Sequence, residues 1–412
     1  MSRPKVLAPV GSWEALRAAG QAGADAVYFG IEQLNMRARS SINFTVDDLK
    51  DIAAICKEEG MKSYITLNTI LYDHDLQLMR QIIDSAKKQG IDAVIAMDQA
   101  AINYANEVNM PVHISTQINI TNVEAVKFYA KFAEVMVLSR ELTLQQVEYI
   151  CKQVEKQQIK GPSGNPVQIE VFVHGALCMA VSGKCYLSLH TLNSSANRGA
   201  CKQNCRRSYT VTDEDGNELK VENEYIMSPK DLCTIEFVDK IMAAGVKVLK
   251  IEGRGKGPEY VYEVTKCYRE AVDAWLEGRP FTSEMLKDWE ERLGTVYNRG
   301  FWGGYYLGKK LGEWTDKEGS KATQEKVYLG KGKKYFAGLG VGEFKLDNGE
   351  LSIGDEILLT GPSYGIFKTK VSELRLDTLE PTNTVRRGQV FSMPIKHKVR
   401  PSDNLYKLVP RT

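Results

Sequence analysis

The chain has 412 residues, 54 basic against 52 acidic, for a net charge of +2, and 43% of it is hydrophobic. That length exceeds what one hydrophobic core usually supports, so two domains are expected, one of them large enough for an α/β barrel. The near balance of charge supplies no global field for nucleic acid or an anionic membrane, and any such partner must use a local patch.

The opening MSRPKVLAPVG has no apolar run of signal-peptide length, and no stretch approaches the ~18 apolar residues of a membrane span. A cytoplasmic protein without membrane contact is expected. Short runs rich in branched apolar residues recur at 6–10, 26–30, 64–67, 93–97, 112–116, 135–139, 169–174 and 246–251, with amphipathic helical stretches between them. Eight such runs suggest an α/β chain built as a closed TIM-type (β/α)8 barrel over 1–324; an open doubly wound sheet is the alternative topology. The helix after the second run is predicted to take Thr45 as its cap, with Asp48 completing a capping box and Leu49, Ile52, Ala53 and Cys56 forming its apolar stripe. The alternation breaks at about 175–233, where an inserted segment bears most of the cysteines and a hairpin at Asp215-Gly216. Long insertions in barrels are usually functional. Past about residue 325 short strands alternate with turn signals such as Asp347-Asn348-Gly349, which predicts a small C-terminal antiparallel β-barrel domain at 325–412.

Eight cysteines in a reducing compartment are buried hydrophobes, reactive thiols or metal ligands rather than disulfides. Cys56, Cys151 and Cys267 continue apolar helical stripes and read as core. The other five, Cys178, Cys185, Cys201, Cys205 and Cys233, lie in segments rich in Gly, Ser and Asn, separated by six, fifteen, three and twenty-seven residues. HGALCMAVSGKC follows the seventh strand directly, and barrels place their chemistry at the carboxyl ends of their strands, so Cys178 and Cys185 belong at that mouth. Four converging thiolates suit an iron-sulfur cluster or a structural zinc, and zinc's usual pair of Cys-x-x-Cys knuckles is absent. Scattered or redox-active thiols are the third reading, and a fifth cysteine leaves a choice of ligands.

Polar residues recur at the other strand ends: Asn35, Arg37 and Arg39 after the second, Asn68 after the third, Asp98 after the fourth, Gln117 after the fifth, Arg140 and Glu141 after the sixth, His174 at the seventh, and Glu252 and Arg254 after the eighth. Each alone also suits a helix cap or a salt bridge; their joint placement is the argument for a site. Arginines in a closed mouth point to a small anionic metabolite, because guanidinium pairs bidentately with carboxylate or phosphate. Peptide hydrolysis finds less support: there is no His-Glu-x-x-His helix, no Gly-x-Ser-x-Gly elbow, and five histidines in all. Basic segments with aromatics at 202–209, 297–306 and 396–400 could meet a polynucleotide or be solvated faces.

The stretch EVFVHGALCMAVSGKCYLSLH, followed by NRGACKQNCRRSY, SPKDLC and KIEGR, closely resembles the signature of the peptidase U32 family, once described as collagenase-like proteases. LAPVGSWEAL, YFG with NMRARS, and VYNRGFWGGYYLG extend the likeness over nearly the whole chain; Val181 departs from it, where the family often has an aromatic residue. The resemblance implies a TIM-type barrel and, in the better understood members, oxygen-independent hydroxylation with a 4Fe-4S cluster on four cysteines. Carried over by position, the ligands are Cys178, Cys185, Cys201 and Cys233, with Cys205 as a nearby alternate. Length and the C-terminal β-domain look most like the tRNA branch, which makes 5-hydroxyuridine at the wobble position using prephenate. Members acting on rRNA, and a peptidase, are the alternatives, as is a zinc-stapled scaffold. Strand-end position then assigns Arg37, Arg140 and Arg254, with Asn68 and Gln117, to hold the anion, and Asp98, Glu252 or His174 to move a proton. Arg206, Arg207, Arg299, Phe301 and Trp302 are the expected contacts to the tRNA anticodon arm. A homo-oligomer or a paralogue partner is left open.

Overall fold

The computed structural model describes residues 3–38, 43–216, 218–219, 225–308 and 312–411. Seven parallel strands follow one another, β1 (Lys5–Pro9), β2 (Ala26–Phe29), β3 (Lys62–Leu67), β4 (Ala93–Ala96), β5 (Val112–Ile114), β6 (Val135–Val137) and β7 (Gln168–Gly175). Beyond the insertion come β8 (Asp231–Cys233), β9 (Val248–Ile251) and β10 (Phe301–Trp302). Strand β9 pairs in parallel with both β7 and β1, so the sheet closes and the open doubly wound alternative is excluded.

Why the strands read as nearly continuous apolar runs follows from closure, which buries both faces. Leu7, Ala26, Tyr28, Tyr64, Ala93, Ile95, Val135 and Val248 pack together inside the barrel, while the alternate residues Val6, Val27, Phe29, Ile65 and Val94 pack under the outer helices. The helix after β2 starts one turn later than predicted, at Leu49. Thr45 does not cap it; instead the Asp48 carboxylate accepts from the Thr45 amide at 2.7 Å and its hydroxyl at 2.9 Å, so one half of the expected box forms. Cys56, Cys151 and Cys267 are buried in helices, as read from their stripes.

The inserted segment crosses the carboxyl ends of the strands and is fastened to several of their loops. Arg198 pairs with Asp75 and donates to Ile70 O at 2.9 Å, Arg140 donates to Ser182 Oγ at 2.8 Å, and Asn119 Nδ2 donates to Ser182 O at 3.0 Å. Gly199, at φ +79°, lets the chain pass where a Cβ would lie 2.3 Å from Asn35 O. The Asp215-Gly216 turn joins Val211–Thr212 to Glu218–Leu219 in the expected hairpin. The segment returns through β8, antiparallel to the end of β7 with Cys233 opposite His174, while Asp231 pairs with Phe301 of β10.

From Gln324–Phe336 to Asn404–Pro410 the chain forms an all-antiparallel domain around Leu329, Phe344, Leu359, Phe391 and Leu405. Its eight-stranded ladder has Gly365–Lys370 and Pro381–Thr382 at its edges. It docks on the barrel's outside through Ala18, Leu358 and Ile366, bordered by Lys368–Glu263 at 2.6 Å and Lys326–Glu259 at 2.8 Å. Among the described residues no helix is long and apolar enough to cross a membrane.

Inside the barrel Lys250 Nζ lies 2.6 Å from Glu170 Oε1, with the pair 6% and 1% exposed. Removing one member strands the other's charge, which typically costs about 3–5 kcal/mol. Lys250→Met should therefore lower unfolding stability by that order, and adding Glu170→Gln should recover most of it; equal losses in the single and double variants, measured by urea denaturation, would contradict the pairing.

Candidate active site

Loops after β2, β3, β5 and β9 bring polar and ionic groups to the carboxyl end of the barrel. Arg37, after β2, donates to Glu252 Oε1 at 3.0 Å across the seam where β9 meets β1. Arg254 turns inward, 7% exposed, and donates to Thr66 Oγ1 of β3 at 2.7 Å. That approach requires Gly30, because a Cβ there would lie 2.5 Å from Arg254 Nη1. Burial alone would raise the Glu252 carboxyl, but the cations of Arg37, Lys256 and Arg254 outweigh it and hold the group below its ordinary range. Burial also brings the Arg254 guanidinium down to about 10. Asn68 and Gln117, both buried, complete a polar shelf beside Ser115, with Asn68 Nδ2 3.4 Å from Gln117 Oε1 and Asn68 Oδ1 accepting from Met36 N at 3.2 Å.

Several expected members stand elsewhere. Asp98 is the cap of the helix Gln99–Glu107: one carboxylate oxygen accepts from Ala100 N at 2.9 Å and the other from Leu71 N at 3.0 Å, leaving it a structural role in place of proton transfer. Arg140 lies over the Phe172 ring and holds Ser182 and Ala176 O, so it fastens the insertion instead of facing a ligand. His174 is 1% exposed among Tyr260, Tyr268 and Phe301, and burial drops its imidazole to about 3. It is a neutral core residue at neutral pH, and not the proton-transfer group expected. Arg39 lies outside the described residues.

Four of the five loop cysteines, Cys178, Cys185, Cys201 and Cys205, lie near enough to interact electrostatically. Arg206 donates to Leu177 O, which brings Cys205 to Cys178, and Lys202 N donates to Ser188 Oγ at 3.0 Å, which brings Cys201 to the turn after Cys185. Burial raises the Cys205 thiol, Arg206 opposes that, and Cys178, Cys201 and Cys185 are near enough to add to it. Cys201 also bears on Arg37, so the thiols border the ionic mouth. Cys233, the positional ligand by resemblance, instead sits opposite His174 with Tyr268 beside it, its thiol pushed up to about 12 by burial. With Cys233 neutral and His174 neutral, the pair is no thiolate-imidazolium dyad. Among the described residues no three His, Cys, Asp or Glu side chains stand at metal-ligand spacing; the donor set of Cys178, Cys185, Cys201 and Cys205 nevertheless fits a thiolate-bound group in composition and in neighbourhood.

The expected RNA contacts are mostly interior. Trp302 is 5% exposed with Nε1 on Lys230 O at 3.2 Å, Phe301 packs against His174, and Arg299 is paired with buried Asp231 at 3.4 Å. Arg206 is spent on Leu177 O, Pro229 O and Ser228 Oγ. Of that set Arg207 alone is exposed, and it lies on the insertion with exposed Lys184, Tyr186 and Lys202. Sequence reasoning missed Lys256 and Asp231. Lys256 stands two residues past Arg254 in the same loop, so the strand-end rule extends to it; Asp231 reaches the mouth only because β8 folds back, which no local pattern announces.

The family model described as Peptidase family U32 matches residues 11–316. A protein named collagenase from Porphyromonas gingivalis is 59% identical over 99% of this chain and 98% of its own length. The tRNA hydroxylation protein P1 of Bacillus subtilis is 29% identical over 98% of this chain and 95% of its own. The 23S rRNA 5-hydroxycytidine C2501 synthase of Escherichia coli is 36% identical over 67% of this chain and 40% of its own. With three quarters of its length under one family model, this chain belongs to peptidase family U32.

Proposed function

We propose that this U32 enzyme hydroxylates C5 of the wobble uridine in tRNA without O2, taking the oxygen from prephenate. The observation that carries the reading is the neighbourhood of four loop thiols with a cation-rich mouth at the carboxyl end of the barrel. Cys178, Cys185, Cys201 and Cys205 would hold a 4Fe-4S cluster, which when bound supplies electron transfer or a Lewis-acidic iron. Arg37 and Arg254 would bind the carboxylates of the metabolite, and Glu252 fixes Arg37 for that task. The tRNA would meet the insertion, which carries Tyr186, 75% exposed, and exposed Lys184, Lys202 and Arg207, since splayed anticodon bases stack on aromatic rings.

A second reading, peptide hydrolysis, is favoured by the name of the 59% identical relative. The two are separated by digesting tRNA from a deletion strain and by gelatin zymography of the purified protein. Loss of 5-hydroxyuridine, restored by the gene, with no gelatin cleavage is expected; normal tRNA together with gelatin cleavage reverses the assignment.

Two variants test the roles. Cys205→Ala, purified without oxygen, should lose most of its iron and acid-labile sulfide while Cys233→Ala keeps both. The opposite pattern would return the fourth ligand to Cys233. Arg37→Met should lower 5-hydroxyuridine in complemented cells at least about tenfold, the scale of one lost charge-assisted contact, with the protein still folded by circular dichroism; unchanged modification would remove Arg37 from the site.

A further inference from the structure

Near the closing seam of the barrel, Arg37, Arg254, Lys256, Arg299 and Arg206 surround Glu252 and Asp231 among the described residues. Arg37 pairs with Glu252 at 3.0 Å and Arg299 with Asp231 at 3.4 Å. Arg206 gives its donors to Leu177 O, Pro229 O and Ser228 Oγ, while Arg254 and Lys256 have no carboxylate within ion-pair distance among the described residues. Arg254 has Thr66 Oγ1 as its side-chain partner, and Lys256 holds its ammonium 2.9 Å from the ring centroid of Tyr297. Tyr297 also faces Arg299, whose guanidinium carbon is 5.1 Å from the same centroid. Buried charges are normally paired, because desolvating an uncompensated cation is expensive. Arg254 and a charged Lys256 can each take one carboxylate of a small dianion.

We infer that Lys256 is a carboxylate-binding residue of this mouth, which leaves the Tyr297 ring to pair with one carboxylate of a dicarboxylate ligand while Arg254 engages the other. The inference rests on the anion site proposed above and adds to it a proton uptake on binding. The groups facing Lys256 are Arg299, Asp231, Glu252 and Arg37, together with the Tyr297 ring. Burial, with Arg299 next, brings its ammonium down to about 7, against the opposing pull of Asp231 and Glu252. A carboxylate arriving beside it favours the charged form, so the lysine gains a proton as the ligand lands. The uptake is largest between the free and bound titration points, and it vanishes at acid pH where the lysine is already charged.

The test is calorimetry of prephenate binding to the anaerobically purified full chain at pH 8.0, repeated in two buffers of different ionisation enthalpy. The expected result is uptake of more than about half a proton per site, because a group titrating near 7 is mostly neutral one unit higher. Lys256→Arg should bind within a few-fold of the parent with no uptake, and Lys256→Met should bind at least about tenfold more weakly. Binding without proton uptake, at unchanged affinity in Lys256→Met, overturns the role of Lys256 and leaves the anion site standing. No binding of prephenate by the parent at millimolar concentration overturns the functional reading itself, and this inference with it.

Discussion

Glu252 is the residue on which the mouth is organised. Its amide donates to His174 O at 2.8 Å, where β9 closes against β7, and its carbonyl accepts from Tyr260 OH at 2.8 Å. Its carboxylate receives Arg37 from the far side of the closing seam and acts on Arg254 and, after Asp231, on Lys256. One side chain thus ties barrel closure to the electrostatics of the site. Were it neutral, the mouth would hold the same cations with a single remaining carboxylate, Asp231, whose own acidity burial already weakens.

Much of this architecture could be read along the chain. The eight strands were legible because a closed barrel buries both faces, and runs such as AVYF and AVIA have no other economical use. The cysteine insertion was legible because it interrupts that rhythm. Side-chain direction was not. YNRGFWGGYY reads as a basic aromatic surface, yet the pairing of β10 with β8 turns Trp302 and Phe301 inward, and that pairing is a long-range event. The cap at Asp98 and the catalytic acid expected there use one residue type at one position, so sequence cannot separate them until Leu71 N and Ala100 N are seen to occupy both oxygens.

The fourth cysteine shows the same limit more sharply. Spacing along the chain makes Cys201 and Cys205 near-equivalent, and the resemblance favours Cys233 over Cys205. The fold orders them by hydrogen bonds made by their neighbours: Arg206 to Leu177 O carries Cys205 toward Cys178, whereas the ladder between β7 and β8 carries Cys233 to His174. Backbone pairing, fixed by distant strands, decides that Cys233 stands beside His174.

That decision matters because the insertion has little else to order it. Across 176–230 the buried apolar side chains among the described residues are Leu177, Ala196 and Ala200, while Met179, Val181, Tyr186, Leu189 and Leu192 stay exposed. Three such side chains supply far less than the conformational entropy of a segment this long, on the order of 1–2 kcal/mol for each ordered residue. The anchors to Asp75 and Ile70, and the Arg140–Ser182 contact, offset part of it. A group bound by four thiolates drawn from 178–205 would offset far more, since ligand binding to such loops is itself folding free energy. In that case the cysteines would also be the staple that keeps the cover of the mouth in place.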